Sequence, residues 1–241
     1  MAILLESRTA DLRVAEVFLD QVDDVADSDV LRLVVTLKSR IYEVADAIAD
    51  AFRARCGVSE EGITEACRGL AKSGLLPKAF VKVLRDGNHN SNSVFAQTAL
   101  QSVVTAYAHE LCTVWDPSTD SITQRICEAL YKSIREREPQ PVAGRWRALY
   151  HTHLRALVGS EKNVRRELEN KLTQWLATVL RACGVDDAIH HLRKELRRTH
   201  ARDVREMVRS ALELRQVVGD MVISREFAVT IVSSGNSFDN L

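Results

Sequence analysis

The sequence contains few of the residues that interrupt helices. Among its 241 residues there are only four prolines and ten glycines, and aromatic residues make up 5% of the chain. Because proline and glycine are the residues least compatible with a helix interior, we expect long helices with few breaks. Apolar residues account for 46%, and a chain of this length can bury a substantial core. The composition therefore favours one large helical domain or two smaller ones.

An excess of charge of either sign is also absent. Lys plus Arg number 33 and Asp plus Glu number 33, so the formal net charge at pH 7 is zero. A neutral chain has no general attraction to nucleic acid or to an anionic membrane. Binding of either kind would need a local patch of charge.

Cysteine pairs and long hydrophobic runs are missing too. The five cysteines are scattered and never spaced as CxxC, which is typical of a reduced intracellular chain. The N-terminus has a four-residue apolar patch before charges begin, too short for a signal peptide. No run approaches the roughly eighteen apolar residues of a membrane span. We expect a cytoplasmic or nuclear protein, neither secreted nor bound to a membrane.

Motifs for common catalytic and cofactor chemistry do not occur. The sequence has no GxxxxGK[ST], GxGxxG, GxSxG or HExxH. His190 and His191 follow Asp186 and Asp187 at a spacing of four, which could form a weak metal or proton site. An acidic pair at a helix start serves equally as a cap and dipole partner, and we favour that structural interpretation. We predict no catalytic, metal-binding or cofactor-binding residue, and no cofactor.

Apolar residues recur at helical spacing along almost the whole chain. Capping residues, glycines and prolines divide this pattern into segments. The segments cover about 9–26, 28–56, 59–72, 75–85, 93–115, 121–137, 142–158, 161–182 and 186–218. We predict an all-α fold, a multi-helix bundle of about eight helices with a short C-terminal strand-like tail.

The second segment has the most regular apolar pattern. Its heptad seam consists of Val30, Val34, Leu37, Ile41, Val44, Ile48 and Ala51. We favour an internal bundle helix over a homodimeric coiled coil, because three heptads are short for independent association. In the segment 121–137, the apolar row is predicted to face inward; it consists of Ile122, Ile126, Leu130 and Ile134.

Two prolines mark the strongest linker signal, because Glu138-Pro139-Gln140-Pro141 makes a continuous helix there unfavourable. We predict an N-terminal helical part over 1–138 and a C-terminal helical part over 142–219 packed on it, with a single domain as the alternative. Residues 220–241 are predicted to be strand-like or poorly ordered, since 227–232 is rich in β-branched residues. A lone strand needs a partner, so a hairpin with 221–224, pairing with another chain and a poorly ordered tail all stay open.

The segment 186–218 reads as one long helix with two faces. Opposite most of its apolar stripe, Arg198, Arg202, Arg205 and Arg209 form one row. Between residues 193 and 209 there are seven Arg or Lys and three Asp or Glu, and several acids are spaced to pair with the row. This row is the predicted partner or polyanion surface.

A second candidate surface lies just after the linker. Arg145, Trp146 and Arg147 could stack on a base or on an aromatic partner. The favoured interpretation packs Trp146 in the core, with Arg145 and Arg147 extending to solvent. The stretch Pro141–Leu149, together with a terminal Gly-x-x-Phe-Asp, resembles uncharacterised helical proteins found in fungi. That group has no established activity, so the resemblance implies an intracellular eukaryotic setting and no functional residue.

These observations favour a non-enzymatic helical domain that binds another protein, with self-association through the tail as one form of it. Nucleic-acid or polyanion binding through the arginine row is the alternative. A second alternative is an enzyme with a cleft between the helical parts on either side of the two prolines.

Overall fold

The computed structural model describes residues 23, 25–55, 60–86, 93–117, 121–157 and 161–231. Nine α-helices are present within these ranges, and none of these residues forms a strand. The all-α prediction is thus confirmed, while the helix expected over 9–26 lies almost entirely outside the described residues. The helices are α1 (Asp27–Phe52), α2 (Glu60–Ser73), α3 (Lys78–Asp86), α4 (Ser93–Thr113), α5 (Ser121–Arg137), α6 (Gln140–Leu157), α7 (Glu161–Ala182), α8 (Ile189–Thr199) and α9 (Ala201–Gln216).

Four helices form the centre of the molecule. α1 packs on α4 and α9, α4 packs on α7 and α9, and α7 also contacts α9. α2 and α8 lie against α7, and α3 lies against α2. The apolar core therefore contains residues from both sides of the predicted boundary at residues 138–142, which falls in the turn between α5 and α6.

α1 buries most of its predicted seam. Val30, Leu37, Val44 and Ile48 are buried, as expected of an internal bundle helix, whereas Val34 is exposed. The acids Asp27 and Asp29 lie in the first turn, and the Asp29 carboxylate accepts a hydrogen bond from the N–H of residue 26. The seam thus packs against other helices of the same chain.

The segment 186–218 is not one helix, and that prediction is wrong. α8 ends at Thr199, and α9 begins at Ala201 after His200, whose backbone leaves the helical region at φ −121° and ψ 16°. The Thr199 hydroxyl donates to the Glu195 carbonyl at the break. Because the chain breaks there, α8 packs along α7 while α9 enters the centre between α1 and α4.

A glycine ends α7, as predicted from the sequence. Gly184 has φ +87°, in the left-handed region that favours glycine. The N–H of Val185 donates to the Leu180 carbonyl and the N–H of Gly184 to the Arg181 carbonyl, in the pattern of a Schellman motif. This turn places α8 against α7.

The end of α9 passes into a single π-helical turn, Val217–Met221, which packs against α6. The chain then continues to residue 231 without forming a helix or pairing as a strand. Backbone N–H groups of Ile223 and Ser224 donate to the Asp23 carboxylate at 2.6 and 2.9 Å. The hairpin between 221–224 and 227–232 does not form in the described part of this tail, because side chains bind its backbone instead.

Candidate interaction surfaces

The predicted arginine row is divided between two helices. Arg198 lies on α8, and Arg202, Arg205 and Arg209 lie on α9. Arg209 pairs with Glu206 at 2.5 Å, and Arg205 lies 3.9 Å from the Glu169 carboxylate of α7. Within the described ranges, Arg198 and Arg202 form no ion pair.

Three further acids near this row contact groups outside it. Glu195, at a spacing that would suit Arg198, instead accepts a hydrogen bond from Arg55 at 2.7 Å. Asp203 lies 3.5 Å from the His200 ring. Asp187 accepts from the His191 ring at 3.0 Å, and hydrogen bonds from this ring and from a backbone N–H outweigh burial to lower the pKa of its carboxyl. The α8 end of the row is therefore Arg198, whose neighbouring acid Glu195 is hydrogen-bonded to Arg55.

Arg147 of the second candidate surface is buried. Its guanidinium donates to the carbonyls of Gly219 and Val222 at 3.1 and 2.6 Å and to the Tyr131 hydroxyl at 2.9 Å. Arg147 thereby connects α6, α5 and the end of the π-turn, where carbonyl groups lack helical partners. Its neighbour Arg145 is partly buried.

Trp146 belongs to an aromatic cluster between α5 and α6. Its ring stacks on Tyr131 and Tyr150, with centroids 6.0 and 5.5 Å away. Trp115, just after the end of α4, makes edge-to-face contacts with Trp146 and Tyr150 and stacks on the His151 ring at 5.1 Å. The cluster joins the α5–α6 hairpin to the rest of the molecule by aromatic contacts.

Arg215 is a connecting residue that the sequence did not indicate. From α9 its guanidinium donates to the Val114 carbonyl at 3.0 Å and to the Trp115 carbonyl, closing the C-terminal end of α4. It also lies 3.3 Å from His151 Nδ1. No sequence spacing predicts this contact, since about a hundred residues separate Arg215 from Trp115.

A cavity of about 450 Å³ lies between α4, α5, α6 and the end of α9, and residues 226–229 lie along it. This is the place where the enzyme hypothesis expects a cleft. Burial raises the pKa of the Cys112 thiol there to about 12, and burial also raises the pKa of the Tyr131 hydroxyl. Both groups are therefore held in their protonated forms near neutral pH, so Cys112 lacks the thiolate that a nucleophile needs.

α5 presents its apolar row to solvent. The side chains of Ile122, Ile126 and Leu130 are 61%, 60% and 49% exposed, whereas Cys127 and Tyr131 are buried. The prediction that this row faces inward is wrong for these three residues. The reason is that Cys127 contacts the Tyr150 hydroxyl at 2.7 Å and Tyr131 stacks on Trp146, which turns the helix the other way.

α1 also exposes apolar side chains beside its buried seam. Leu31, Val35 and Tyr42 are each more than half exposed. Lys38 interrupts them, whereas the α5 row follows an unbroken spacing of four along one face. The α5 row is therefore the more regular of the two apolar surfaces.

No known protein family, curated protein or solved structure matches this chain. In the described ranges, no helix is both long and apolar enough to cross a membrane. The same residues include no group of three or more His, Cys, Asp or Glu side chains placed to hold a metal ion.

Proposed function

We propose that this chain is a non-enzymatic protein–protein interaction domain that binds a helix of another protein along the outward row of α5. The observation that carries the proposal is the exposure of Ile122, Ile126 and Leu130 at every fourth position. An amphipathic helix normally buries its apolar face. Here the opposite face is buried, so the apolar row is left for a partner.

The row suits an amphipathic helix as its ligand. Its three side chains span nine residues, and the eight steps of about 1.5 Å between the first and the last give about 12 Å, which is about two turns of a partner helix. Anchors at a spacing of four are the usual pattern of helix recognition. Arg125, Glu128, Lys132 and Glu136 are exposed on α5 beside the row, so we expect charged residues of both signs beside the partner's apolar row.

The α5–α6 junction fixes the orientation of this surface. The Tyr131 hydroxyl accepts a hydrogen bond from Arg147, and the Tyr131 ring stacks on Trp146. Because a rotation of α5 would break these contacts, the row faces outward before any partner binds. Such preorganisation lowers the entropic cost of association.

Site-specific photo-crosslinking in the native cell tests this proposal. A photoreactive residue replaces Ile126, and the matched control replaces Leu31, an equally exposed apolar residue of α1. We expect a discrete adduct with another protein from position 126 and not from position 31. The absence of an adduct at 126, or the same adducts from both positions, would overturn the proposal.

A binding measurement with the crosslinked partner completes the test. Ile126→Glu should lower its affinity by about tenfold or more, because a charge then faces the apolar row of the partner. Leu31→Glu should leave the affinity within about twofold. Equal affinities for the wild type and Ile126→Glu would contradict the role of the α5 row.

A further inference from the structure

The outward face of α8 is strongly cationic. Four of its eleven residues are Arg or Lys, and two more are His. Its single acid, Glu195, is directed to Arg55. Asp187 contacts the His191 ring, so among the described residues no ion pair involves the four Arg and Lys side chains of this helix, in a chain whose total charge is zero.

Four of these side chains line one small hollow. His190, Arg193, Lys194 and Arg197 occur at spacings of three, four and seven, which place them on one face of the helix. The hollow has a volume of about 200 Å³, and among the described residues no carboxylate lines it. A larger hollow beside it contains Asp187 and Glu195, so only the smaller one is uniformly basic.

The two arginines of the hollow are in different states. Arg197 donates to the Asn170 side-chain oxygen at 2.9 Å, which holds its guanidinium without neutralising it. The Nε atom of Arg193 is buried and has no acceptor in the described parts of the chain. A desolvated guanidinium nitrogen without an acceptor is costly, and an anion nearby would offset that cost.

The size and the donors of the hollow favour a phosphoryl group. A volume of about 200 Å³ is below the roughly 300–1,000 Å³ of pockets for whole organic ligands, so a single small group fits. Arginine forks and a lysine ammonium are the donors that bind phosphate oxygens most strongly. The hollow also includes the first turn of α8, where the helix dipole favours negative charge.

We propose that α8 binds a phosphoryl group in the hollow formed by His190, Arg193, Lys194 and Arg197. The group belongs either to a small phosphorylated molecule or to a nucleic-acid backbone. This site lies on α8 directly before Arg198, the first residue of the row that the sequence suggested for polyanions. It uses no residue of α5, so its failure and the failure of the helix-binding proposal are independent results.

Titration calorimetry of the full chain with pyrophosphate, at constant ionic strength, tests the site. The double variant Arg193→Gln/Arg197→Gln should lose about tenfold or more in affinity, because two charge-assisted hydrogen bonds are removed. The matched control Arg32→Gln/Arg40→Gln on α1 removes the same charge and should lose less than about threefold. No binding to the wild type, or equal losses in both double variants, would overturn the proposal.

Two further measurements separate lost affinity from lost structure and identify the source of the phosphoryl group. Lys194→Gln, at an exposed side chain, should weaken pyrophosphate binding without changing the melting temperature, which separates lost affinity from lost structure. A labelled single-stranded oligonucleotide then distinguishes the sources of the phosphoryl group. Binding that pyrophosphate displaces and that falls steeply with salt identifies a nucleic-acid backbone, and binding of pyrophosphate alone identifies a small molecule. An oligonucleotide that binds equally well to the Arg193→Gln/Arg197→Gln variant would contradict the site.

Discussion

α1 and α5 carry the same kind of sequence signal and use it in opposite ways. Both have apolar residues at helical spacing, but α1 buries Val44 and Ile48 in the core while α5 exposes Ile122 and Ile126 to solvent. The difference shows that periodicity identifies an apolar face without deciding whether that face meets the core. That decision depends on what the other face of the helix can bind.

For α5 the competing face is aromatic and polar. Tyr131 buries a large ring and also satisfies its hydroxyl with Arg147. Cys127 adds a contact to Tyr150. α1 has no comparable set of aromatic and polar contacts on its other face, so its aliphatic seam faces inward. The hairpin of α5 and α6 is thus held by aromatic stacking and guanidinium–carbonyl bonds, and the central helices by aliphatic packing.

The largest expected effect comes from exchanging isoleucine for alanine in the two helices. Ile48→Ala removes a fully buried side chain and should lower the free energy of unfolding by about 2–5 kcal/mol. Ile126→Ala should change it by less than about 0.5 kcal/mol, as for other exposed positions. Urea denaturation of both variants measures the difference, and equal losses would mean that α5 also packs through its isoleucine row.

Arg147→Met should have the second largest effect on the free energy of unfolding. It leaves the carbonyls of Gly219 and Val222 without their donor and should cost about 2–3 kcal/mol. The matched control is Arg137→Met at an exposed position on α5, where we expect a change below about 0.5 kcal/mol. Hydrogen exchange should accelerate in α6 before α4; uniform acceleration would contradict a separately held hairpin.

Alanine substitutions at two glycines should change the stability of the protein in opposite directions. A Cβ at Gly144 of α6 would overlap the Ile223 carbonyl oxygen, so Gly144→Ala should displace the tail and cost about 1–3 kcal/mol. At Gly69 of α2 the nearest atom to a Cβ is Thr178 Cγ2 at 4.0 Å, so Gly69→Ala should stabilise by about 0.5–1 kcal/mol. Thermal melting of both variants checks the signs, and stabilisation by Gly144→Ala would show that the tail does not pack there.

The smallest effect concerns Asp23, which binds the same tail. Burial alone would raise the pKa of its carboxyl, but hydrogen bonds from Ser224 and Ile223 and the charge of Arg225 outweigh burial and lower it from 3.8. Because the folded pKa is the lower one, the stabilisation is present above pH 3.8 and is lost as pH falls through the folded value. Asp23→Asn should remove this part of the acid dependence in pH-jump denaturation. An unchanged acid profile would show that the carboxylate does not hold the tail.

Much of the fold could be predicted because its determinants are local. Helix periodicity and the glycine after α7 located the elements, and the regular heptads placed Leu37 and Val44 in the core. The break at His200 was missed because nothing in its neighbours stops a helix; tertiary packing of α8 and α9 on different partners produces it.

The candidate sites were harder to predict, because their contacts join distant parts of the chain. Arg147 could not be assigned to the interior from its neighbours, since its acceptors are Gly219 and Val222, more than seventy residues away. Likewise, the sequence shows that Arg193 and Arg197 add to the positive net charge of their segment. It does not show the hollow around them, because the hollow depends on how α8 packs on the rest of the molecule.

The most direct test of the outward orientation of α5 is the reactivity of a thiol placed in its row. Ile126→Cys and Ile48→Cys are compared with the wild type, whose four described cysteines are buried, in native buffer with an aromatic disulfide reagent. We predict one additional fast-reacting thiol for Ile126→Cys and none for Ile48→Cys until the protein unfolds. A thiol at position 126 that is protected as fully as one at position 48 would contradict the account.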